Sequence, residues 1–302
     1  MEKLVIRPPS EWKSLLVRVT RGCKWNRCRF CGIYPALGEP DFSVRTVEDI
    51  KSDIDALSTR HGVFRTAFLG DADPIEIGLE EFCEVTRHLR KQFSGLTRVT
   101  CYARASTLWK LGTDGLRQLA DAGLSRVHVG LESGDADLLK YHRKGQSPRT
   151  VTEAARWCRE AGIEVSFYVL LGMGGSERWR QHADRTAEVI NAADPEFVRV
   201  RRIWLYSREE GGLKDCPLVE AIRSGEFAQQ TPEGTVLELR RLIEKLDPGI
   251  SSLVTCDHAN NYVRVEGKMP ADRERMLAEI DEFLALPEAR RQAQYEATGS
   301  RI

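Results

Sequence analysis

Three of the eight cysteines lie in one segment, Val19-Thr-Arg-Gly-Cys23-Lys-Trp-Asn-Arg-Cys28-Arg-Phe-Cys31-Gly-Ile-Tyr-Pro35. The apolar residues 15–19 come directly before it and predict a buried strand that runs into a loop. Three thiolates on one loop can hold three irons of a cubane cluster and leave the fourth iron open to a small molecule. Three of the residues between the cysteines are basic, Lys24, Arg27 and Arg29, which favours thiolate over thiol.

The segment resembles the cluster-binding loop of the radical S-adenosylmethionine (SAM) superfamily. In that family three and then two residues separate the cysteines, and an aromatic residue, here Phe30, precedes the third. Four residues separate Cys23 from Cys28, a departure that a minority of the superfamily shares. The resemblance implies a 4Fe-4S cluster bound by Cys23, Cys28 and Cys31. Two other interpretations are a zinc knuckle without a fourth ligand and three buried structural cysteines.

Composition sets wide bounds on the class of protein. With 302 residues, 41% hydrophobic and 30% charged, the chain can form one large α/β domain with or without an appendage. Lys plus Arg equals Asp plus Glu at 45 each, so no global field attracts nucleic acid or an anionic membrane. No apolar run approaches a membrane span, and the first residues lack a signal-peptide core. Eight cysteines then suggest reduced thiols in the cytoplasm.

Six strands alternate with helices over the first two thirds of the chain. The strands are predicted at about 15–20, 63–69, 97–103, 125–131, 163–170 and 196–203. Such alternation predicts a parallel sheet with right-handed crossovers. Because six units are too few for an eight-fold barrel, we expect an α/β fold that forms a partial (β/α)6, TIM-like barrel.

The sequence changes character at about residue 205. Residues 208–212 are charged and glycine-rich, Thr231-Pro232 predicts a helix start, and Leu253-Val254-Thr255 predicts a short strand. Residues 271–297 are rich in Ala, Glu and Arg and predict one helix. We therefore expect a core domain of residues 1–204 and a helical C-terminal extension of residues 205–302.

In five of the predicted strands, polar residues occupy every second position and so share one face of the sheet. In strand four, Arg126, His128, Gly130 and Glu132 alternate with apolar residues. Fully buried parallel strands are usually continuous apolar runs, so the polar face predicts a reaction cavity. A solvent-facing sheet surface is the alternative. Ligands of parallel sheets bind at the carboxyl ends of the strands, where the cysteine loop also begins.

The resemblance implies a SAM site built from loops after these strands. The segment Gly70-Asp71-Ala72-Asp73-Pro74 takes the place of the Gly-Gly-Glu-Pro-like segment, which receives the ammonium group of SAM, with Asp71 or Asp73 as the carboxylate. The segment Gly130-Leu-Glu132-Ser133-Gly134 resembles one found in the methylthiotransferase, Elp3-like and coproporphyrinogen-dehydrogenase-like branch. There the glutamate accepts hydrogen bonds from the ribose hydroxyls. The alternative for this segment is a helix N-cap at Ser133.

The resemblance also implies contacts to the adenine and to the carboxylate of SAM. The backbone around Gly172, in Leu171-Gly-Met-Gly-Gly175, would pack against the adenine, and the backbone of Ile33 would bind its edge. The SAM carboxylate needs a cation. Among the candidates we rank the inward-facing Arg199 and Arg201 first, ahead of the remaining ones: Arg104, Arg143 and Lys144.

The function implied by the resemblance is reductive cleavage of SAM to methionine and a 5′-deoxyadenosyl radical, which abstracts hydrogen from an unidentified small molecule. A flavodoxin- or ferredoxin-type protein would donate the electron. Methyl transfer, sulfur transfer and a non-catalytic iron–sulfur protein are the alternatives. The absence of a basic stripe argues against a nucleic-acid substrate.

The remaining cysteines are expected to be buried structural thiols: Cys83, Cys101, Cys158, Cys216 and Cys256. The polar stretch Cys256-Asp-His258-Ala-Asn260-Asn261-Tyr262 is either a buried cap of the barrel mouth or a loop that contacts substrate. An auxiliary cluster at Cys256 is the minority interpretation.

Overall fold

A computed structural model describes residues 6–39, 41–60, 64–205, 207 and 215–299. The chain divides into two compact units. The first contains Met1–Asn26, Ile33–Val129 and Glu153–Val165, and the second contains Arg27–Gly32, Gly130–Thr152 and Ser166–Ile302. The charged residues 208–212 lie outside the described residues. The predicted division into a core and an extension at residue 205 stays a prediction.

The strands confirm a mostly parallel sheet. They are β1 Leu15–Arg18, β2 Thr20–Arg21, β3 Ser43–Val44, β4 Thr66–Gly70, β5 Arg98–Ala103, β6 Arg126–Glu132, β7 Glu164–Leu171, β8 Phe197–Arg202, β9 Leu253–Thr255 and β10 Glu266–Lys268. Eight of them form one sheet in the order β1-β4-β5-β6-β7-β8-β9-β10, while β2 pairs with β3. All six predicted strands of the core and the short strand at Leu253–Thr255 are present.

Eleven α-helices are present within the described residues, nine of them between strands and two after β10. They are α1 Ile33–Ala36, α2 Val47–Arg60, α3 Leu79–Gln92, α4 Ala105–Ala122, α5 Ala136–Tyr141, α6 Pro148–Glu160, α7 Gly175–Ala193, α8 Pro217–Arg223, α9 Pro232–Glu244, α10 Arg273–Leu284 and α11 Glu288–Gly299. In the described part of the chain, no helix has both the length and the hydrophobicity needed to span a membrane.

Local chemistry explains where the C-terminal helices begin and end. The Thr231 side chain accepts a hydrogen bond from the Gly234 N–H at 2.9 Å, and Pro232 is the first helical residue, as predicted. The prediction of one helix over residues 271–297 is wrong, because α10 ends at Leu284 and α11 begins at Glu288. Pro287 lies between them, and proline removes a backbone donor and clashes with the preceding turn of a helix.

Strand register in the first unit places the loops of the site. Arg18 of β1 is level with Gly70 of β4, and Leu69 of β4 is level with Cys101 of β5. All these pairs are parallel, so the chain leaves the strands at similar heights. The cysteine loop and the loop after β4 therefore start at the same edge of the sheet.

The alternating polar residues of β6 do not line a cavity at the beginning of the strand. Arg126 and His128 are buried, and His128 Nε2 lies 3.4 Å from a carboxylate oxygen of Glu11. Glu11 ends a short 3-10 helix, Pro9–Glu11, in the segment before β1. Its side chain is fully buried and also contacts Ser14 Oγ at 2.7 Å and Arg98 at 3.2 Å. The segment before β1 therefore places a buried carboxylate against the polar residues at the beginning of β6.

The Glu11 carboxylate makes the stability of the first unit sensitive to acid. Burial by itself raises the pKa of Glu11, but hydrogen bonds from His128 and Ser14 and the charge of Arg98 outweigh it and lower the pKa to about 2. A carboxylate with a lowered pKa stabilises the fold above its unfolded pKa of about 4.3, and this contribution is lost as the pH falls towards 2. We predict that Glu11→Gln lowers the melting temperature at pH 7 and that the gap to wild type shrinks below about pH 4.

Thermal melts of both proteins between pH 3 and pH 7 test this prediction. Asp114→Asn is the control, because Asp114 pairs with Arg117 on the exposed surface and its loss should change little at any pH. An equal gap between Glu11→Gln and wild type at pH 3 and at pH 7 would contradict the assignment.

Candidate active site

The first unit contributes the start of the cysteine loop. Gly22 follows β2 with a φ of 74°, and a Cβ there would lie 2.5 Å from the Asp41 carbonyl oxygen, so only glycine fits. Cys23 is half-buried, and its Sγ accepts a hydrogen bond from the Asn26 N–H at 3.4 Å.

Two of the four residues between Cys23 and Cys28 contact side chains of the first unit. The guanidinium of Arg104 lies 4.6 Å from the ring centroid of Trp25. Lys24 Nζ lies 2.5 Å from the Glu76 carboxylate, which also accepts the Thr107 hydroxyl at 3.1 Å. The loop that departs from the usual spacing is thus tied to the segments that follow β4 and β5.

Asp71 is buried and already faces positive charge. Its N–H donates to Thr20 Oγ1 at 3.3 Å, and its carboxylate accepts the backbone N–H of Gly22. Burial raises the pKa of Asp71, while the charges of Arg18 and Arg21 oppose that rise. The carboxylate therefore has cationic neighbours before any ligand binds.

Asp73 has a carboxylate oxygen that is open to a ligand. Its Oδ2 accepts the Arg104 N–H at 3.0 Å and the Thr107 hydroxyl at 2.7 Å. Its Oδ1 is buried and, like the Oδ1 of Asp71, has no hydrogen-bond partner within the described residues. Burial is the main cause that raises the pKa of Asp73 to about 7, and the charge of Glu76 adds to it. A buried acceptor of this kind suits an ammonium group, whose charge would hold the carboxylate ionised.

The second unit contributes Cys28, Phe30 and Cys31. Phe30 is buried in an apolar cluster with Met173 and Ile203, and the two half-buried cysteines pack against that cluster. The Cys31 N–H donates to the Cys28 carbonyl at 3.2 Å. One side of this part of the loop is therefore apolar and shielded from water.

Backbone contacts fix this part of the loop at Arg29. Its N–H donates to the His142 carbonyl at 3.0 Å, and its carbonyl accepts the Leu218 N–H at 2.8 Å. Its guanidinium pairs with Glu226 at 2.8 Å and lies over the ring of Tyr141. Like Lys24, Arg29 is thus already paired with a carboxylate, which weakens the expected effect of the basic residues on the thiols.

A cubane cluster needs a different arrangement from a single metal ion. No group of three His, Cys, Asp or Glu side chains within the described residues could hold one ion. Each thiolate of a cubane binds a different iron, so the three sulfurs need not converge on one point. All three cysteines are half-buried, which disagrees with the interpretation of three buried structural thiols.

Glu132 ends β6 in the left-handed region, with a φ of 61°. Its carboxylate pairs with Lys144 Nζ at 2.8 Å. A Cβ on Gly130 would lie 2.1 Å from Glu132 Oε1, so glycine at that position leaves room for the carboxylate. Non-glycine residues with positive φ cost about 1–2 kcal/mol and are concentrated at functional sites.

The N-cap alternative for this segment is wrong. Asp135 is the N-cap of α5 and accepts the N–H groups of Asp137 and Leu138. Ser133 is buried, and its hydroxyl accepts the Asp135 N–H at 3.0 Å. Neither Glu132 nor Ser133 caps the helix, which leaves the Glu132 carboxylate to Lys144 and to a ligand.

The other predicted contacts lie at the ends of α1, β7 and β8. Ile33 begins α1, and its carbonyl accepts the Leu37 N–H at 3.0 Å. The Gly172 N–H donates to the Glu238 carboxyl group at 3.0 and 3.1 Å. Arg199 donates to Ser166 Oγ at 3.1 Å, whereas the guanidinium of Arg201 lies 5.0 Å from the ring centroid of Tyr168. This difference favours Arg201 as the cation for a bound carboxylate.

The polar stretch after β9 holds the end of β8. Asn261 accepts the Arg202 N–H at 2.8 Å and donates to the Val200 carbonyl at 3.0 Å, while Asn260 donates to the Arg202 carbonyl. The two side-chain amides bind backbone groups at the end of β8 as a neighbouring strand would. These contacts support the interpretation of the polar stretch as a buried cap. The five cysteines outside the loop are buried, as expected.

Sequence reasoning missed Glu238 and His182, both of which are buried. A signal was present, because Glu238 lies one turn before Leu242 on the apolar face of α9. His182 likewise shares a face of α7 with Thr186 and Val189. A charged or ring residue at an apolar position of a helix marks a buried polar contact.

Comparison with known proteins identifies the class. The sequence matches the family model described as Radical SAM superfamily over residues 17–185, which is more than half of the chain. The chain belongs to the radical SAM superfamily. A search of curated proteins found no match.

Solved structures share the fold at low sequence identity. The radical SAM methyltransferase TsrM from Kitasatospora setae is 21% identical with a TM-score of 0.50, covering 63% of this chain and 36% of that one. Elp3 from Methanocaldococcus infernus is 14% identical with a TM-score of 0.53, covering 91% and 64%. Coproporphyrinogen III oxidase (HemN) from Escherichia coli is 14% identical with a TM-score of 0.54, covering 76% and 51%.

The chain thus spans between about a third and two thirds of the length of these proteins. They confirm the predicted α/β fold of a partial barrel. A 4Fe-4S cluster and SAM are the cofactors of this class.

The open oxygen of Asp73 leads to a prediction about the pH dependence of SAM binding. Because the carboxylate must be ionised to bind an ammonium group, and its pKa is about 7, affinity should fall below pH 7, by up to about tenfold per pH unit. Asp73→Asn should bind SAM about tenfold or more weakly at pH 7.5 and lose this dependence.

Titration of SAM into reconstituted protein between pH 5.5 and pH 7.5 measures this effect. Asp71→Asn is the matched control and should keep the pH dependence, because Asp71 already faces Arg18 and Arg21. If instead Asp71→Asn removes the dependence and Asp73→Asn retains it, Asp71 is the residue that receives the ammonium group.

Proposed function

We propose that this protein is an enzyme that cleaves SAM reductively at a 4Fe-4S cluster and uses the 5′-deoxyadenosyl radical to abstract hydrogen from a small-molecule substrate. The observation that carries the proposal is the superfamily match over residues 17–185, together with three half-buried cysteines on the loop after β2. Methyl transfer and sulfur transfer are outcomes of the test below.

Cys23, Cys28 and Cys31 are the proposed cluster ligands. When bound, the reduced cluster supplies the electron for SAM cleavage. Two features of the loop support the assignment: the Asn26 N–H donates a hydrogen bond to the Cys23 sulfur, and the Phe30 cluster shields Cys28 and Cys31 on one side. Exclusion of water protects a reactive radical from side reactions.

Each part of SAM has a proposed partner in the chain. Asp73 receives the ammonium group. The Oδ1 atoms of Asp73 and Asp71 are both buried without a partner, but Asp71 faces the charges of Arg18 and Arg21, whereas the charge of Glu76 helps to raise the pKa of Asp73. Glu132 accepts the ribose hydroxyls, and Arg201 binds the carboxylate. The backbones of Ile33 and Gly172 contact the adenine, while Phe30, Gly70, Asp71, Ser133 and Arg199 shape the surroundings of these groups.

The substrate and the electron donor are proposed by class. A small molecule is favoured, because the equal numbers of basic and acidic residues give the chain no field that would attract nucleic acid. A flavodoxin- or ferredoxin-type protein is the proposed donor. The eight cysteines are present as thiols, which fits the reducing cytoplasm as the proposed location.

Anaerobic reconstitution tests the proposal directly. With dithionite and SAM, wild type should release 5′-deoxyadenosine, which chromatography of quenched mixtures detects. The triple variant with Cys23, Cys28 and Cys31 changed to Ala should contain no iron and release none. Cys83→Ala, which removes a buried thiol of α3, should behave as wild type.

Two results would contradict the proposal. A triple variant that retains a full cluster means that other cysteines are the ligands. Release of S-adenosylhomocysteine without deoxyadenosine by wild type would point to methyl transfer instead.

Glu132→Ala tests the ribose assignment. It removes charge-assisted hydrogen bonds worth roughly 1.5–3 kcal/mol each when shielded, so the dissociation constant of SAM should rise about tenfold or more. Iron content should not change, because no cysteine is altered. Titration of SAM into the reconstituted variant provides the measurement.

Asp135→Ala is the matched control for Glu132→Ala. It removes the cap of α5, so it should lower the melting temperature and leave SAM affinity unchanged. An unchanged dissociation constant in Glu132→Ala would defeat the ribose assignment and leave the cluster assignment intact.

A further inference from the structure

A buried polar chain in the second unit links α9 to the ends of β6 and β7. It begins at Glu238 of α9, which lies outside the residues that match the superfamily, 17–185. It continues to His182 of α7. Both side chains are excluded from solvent, at 0% and 1% exposure.

The contacts of Glu238 and His182 connect two segments that the proposed function assigns to the nucleoside part of SAM. The Glu238 carboxyl group accepts the Gly172 N–H at 3.0 and 3.1 Å and lies 3.2 Å from His182 Nδ1. The other ring nitrogen, Nε2, lies 3.4 Å from the carbonyl oxygen of Glu132. One carboxyl group therefore contacts the Gly172 segment directly and the Glu132 segment through a single imidazole.

The two ends of the imidazole restrict where its protons lie. A carbonyl oxygen can only accept, so the Nε2 that faces it must carry a hydrogen. Nδ1 then either bears a second proton opposite a carboxylate or, without a proton, accepts a hydrogen bond from a neutral carboxylic acid. Burial raises the pKa of Glu238 to about 8 and lowers that of His182 to about 3, which favours the neutral acid donating to neutral histidine at pH 7.

We propose that Glu238 is a positioning residue for SAM, which holds the Gly172 amide and, through His182, the Glu132 carbonyl in the arrangement that binds the adenosine group. This inference rests on the proposed function. The positive φ of Glu132, 61°, is a backbone conformation that non-glycine residues keep only when their surroundings enforce it. His182 supplies one such contact, and a residue of the C-terminal region controls it.

Glu238→Leu and Glu238→Gln separate positioning from simple packing. Leucine removes both hydrogen bonds, so the dissociation constant of SAM should rise about tenfold with unchanged iron content. Glutamine reproduces the neutral acid, because its carbonyl accepts the Gly172 N–H and its amide donates to His182 Nδ1. We expect Glu238→Gln to bind SAM within about twofold of wild type.

Two further variants make the test independent of folding defects. Leu239→Ala removes a buried side chain of the same helix without touching the polar chain, so it should lower the melting temperature and leave SAM affinity unchanged. His182→Phe keeps the Gly172 contact of Glu238 but breaks the link to Glu132, and it should weaken SAM binding even if Glu238→Leu does not fold.

Binding of SAM to reconstituted wild type and variants is the measurement, with melting temperatures of the same samples alongside. Wild-type affinity in both Glu238→Leu and His182→Phe would overturn the inference, as would equal loss in Glu238→Gln and Glu238→Leu. Failure of wild type to bind SAM would overturn the proposed function instead, so the two failures are distinguishable.

Discussion

Parallel pairing of β1 with β4 and of β4 with β5 controls where the chain of the first unit turns. Because Arg18, Gly70 and the end of β5 lie at similar heights, the cysteine loop and the Asp73 loop leave the sheet from the same edge. The same register brings Asp73 under the Arg104 N–H and the Thr107 hydroxyl. The chemistry of the loops thus depends on backbone hydrogen bonds that contain none of the reactive groups.

Buried carboxyl groups recur in this protein with different partners and different consequences. Glu11 is surrounded by donors and stays ionised, with its pKa lowered to about 2. Burial raises the pKa of Asp73 to about 7, and one of its oxygens remains open to a cationic ligand. Glu238 is also raised, to about 8, and it is satisfied as a neutral acid between an amide and an imidazole. Burial removes the hydration of a carboxylate, and the hydrogen-bond donors and charges around it determine whether the group stays ionised.

The sequence predicted the elements better than it predicted the contacts. Apolar runs and alternation located all six core strands, and the cysteine spacing pointed to the superfamily, because both signals are local in the chain. The contact of Glu11 with His128 was not predicted, because more than a hundred residues separate the two in the chain. The predicted helix of residues 271–297 failed at Pro287, a local signal that composition masked.

The site residues show the same difference between local sequence signals and long-range contacts. Gly172 was selected from its glycine-rich segment, and its φ of 90° is a conformation that glycine adopts readily. The pairing of Lys144 with Glu132 and of Arg29 with Glu226 depends on tertiary distances that no spacing rule contains. The polar chain from Glu238 joins positions 172 and 238, and only the folded structure shows which amide the buried acid meets.

The central claim is that SAM binds at the open iron of a cluster held by three cysteines, and electron paramagnetic resonance of the reduced, reconstituted protein tests it most directly. The account predicts a 4Fe-4S signal whose g-values change when SAM is added, because SAM becomes a ligand of the fourth iron. A signal that is identical with and without saturating SAM, in protein of full iron content, would contradict it.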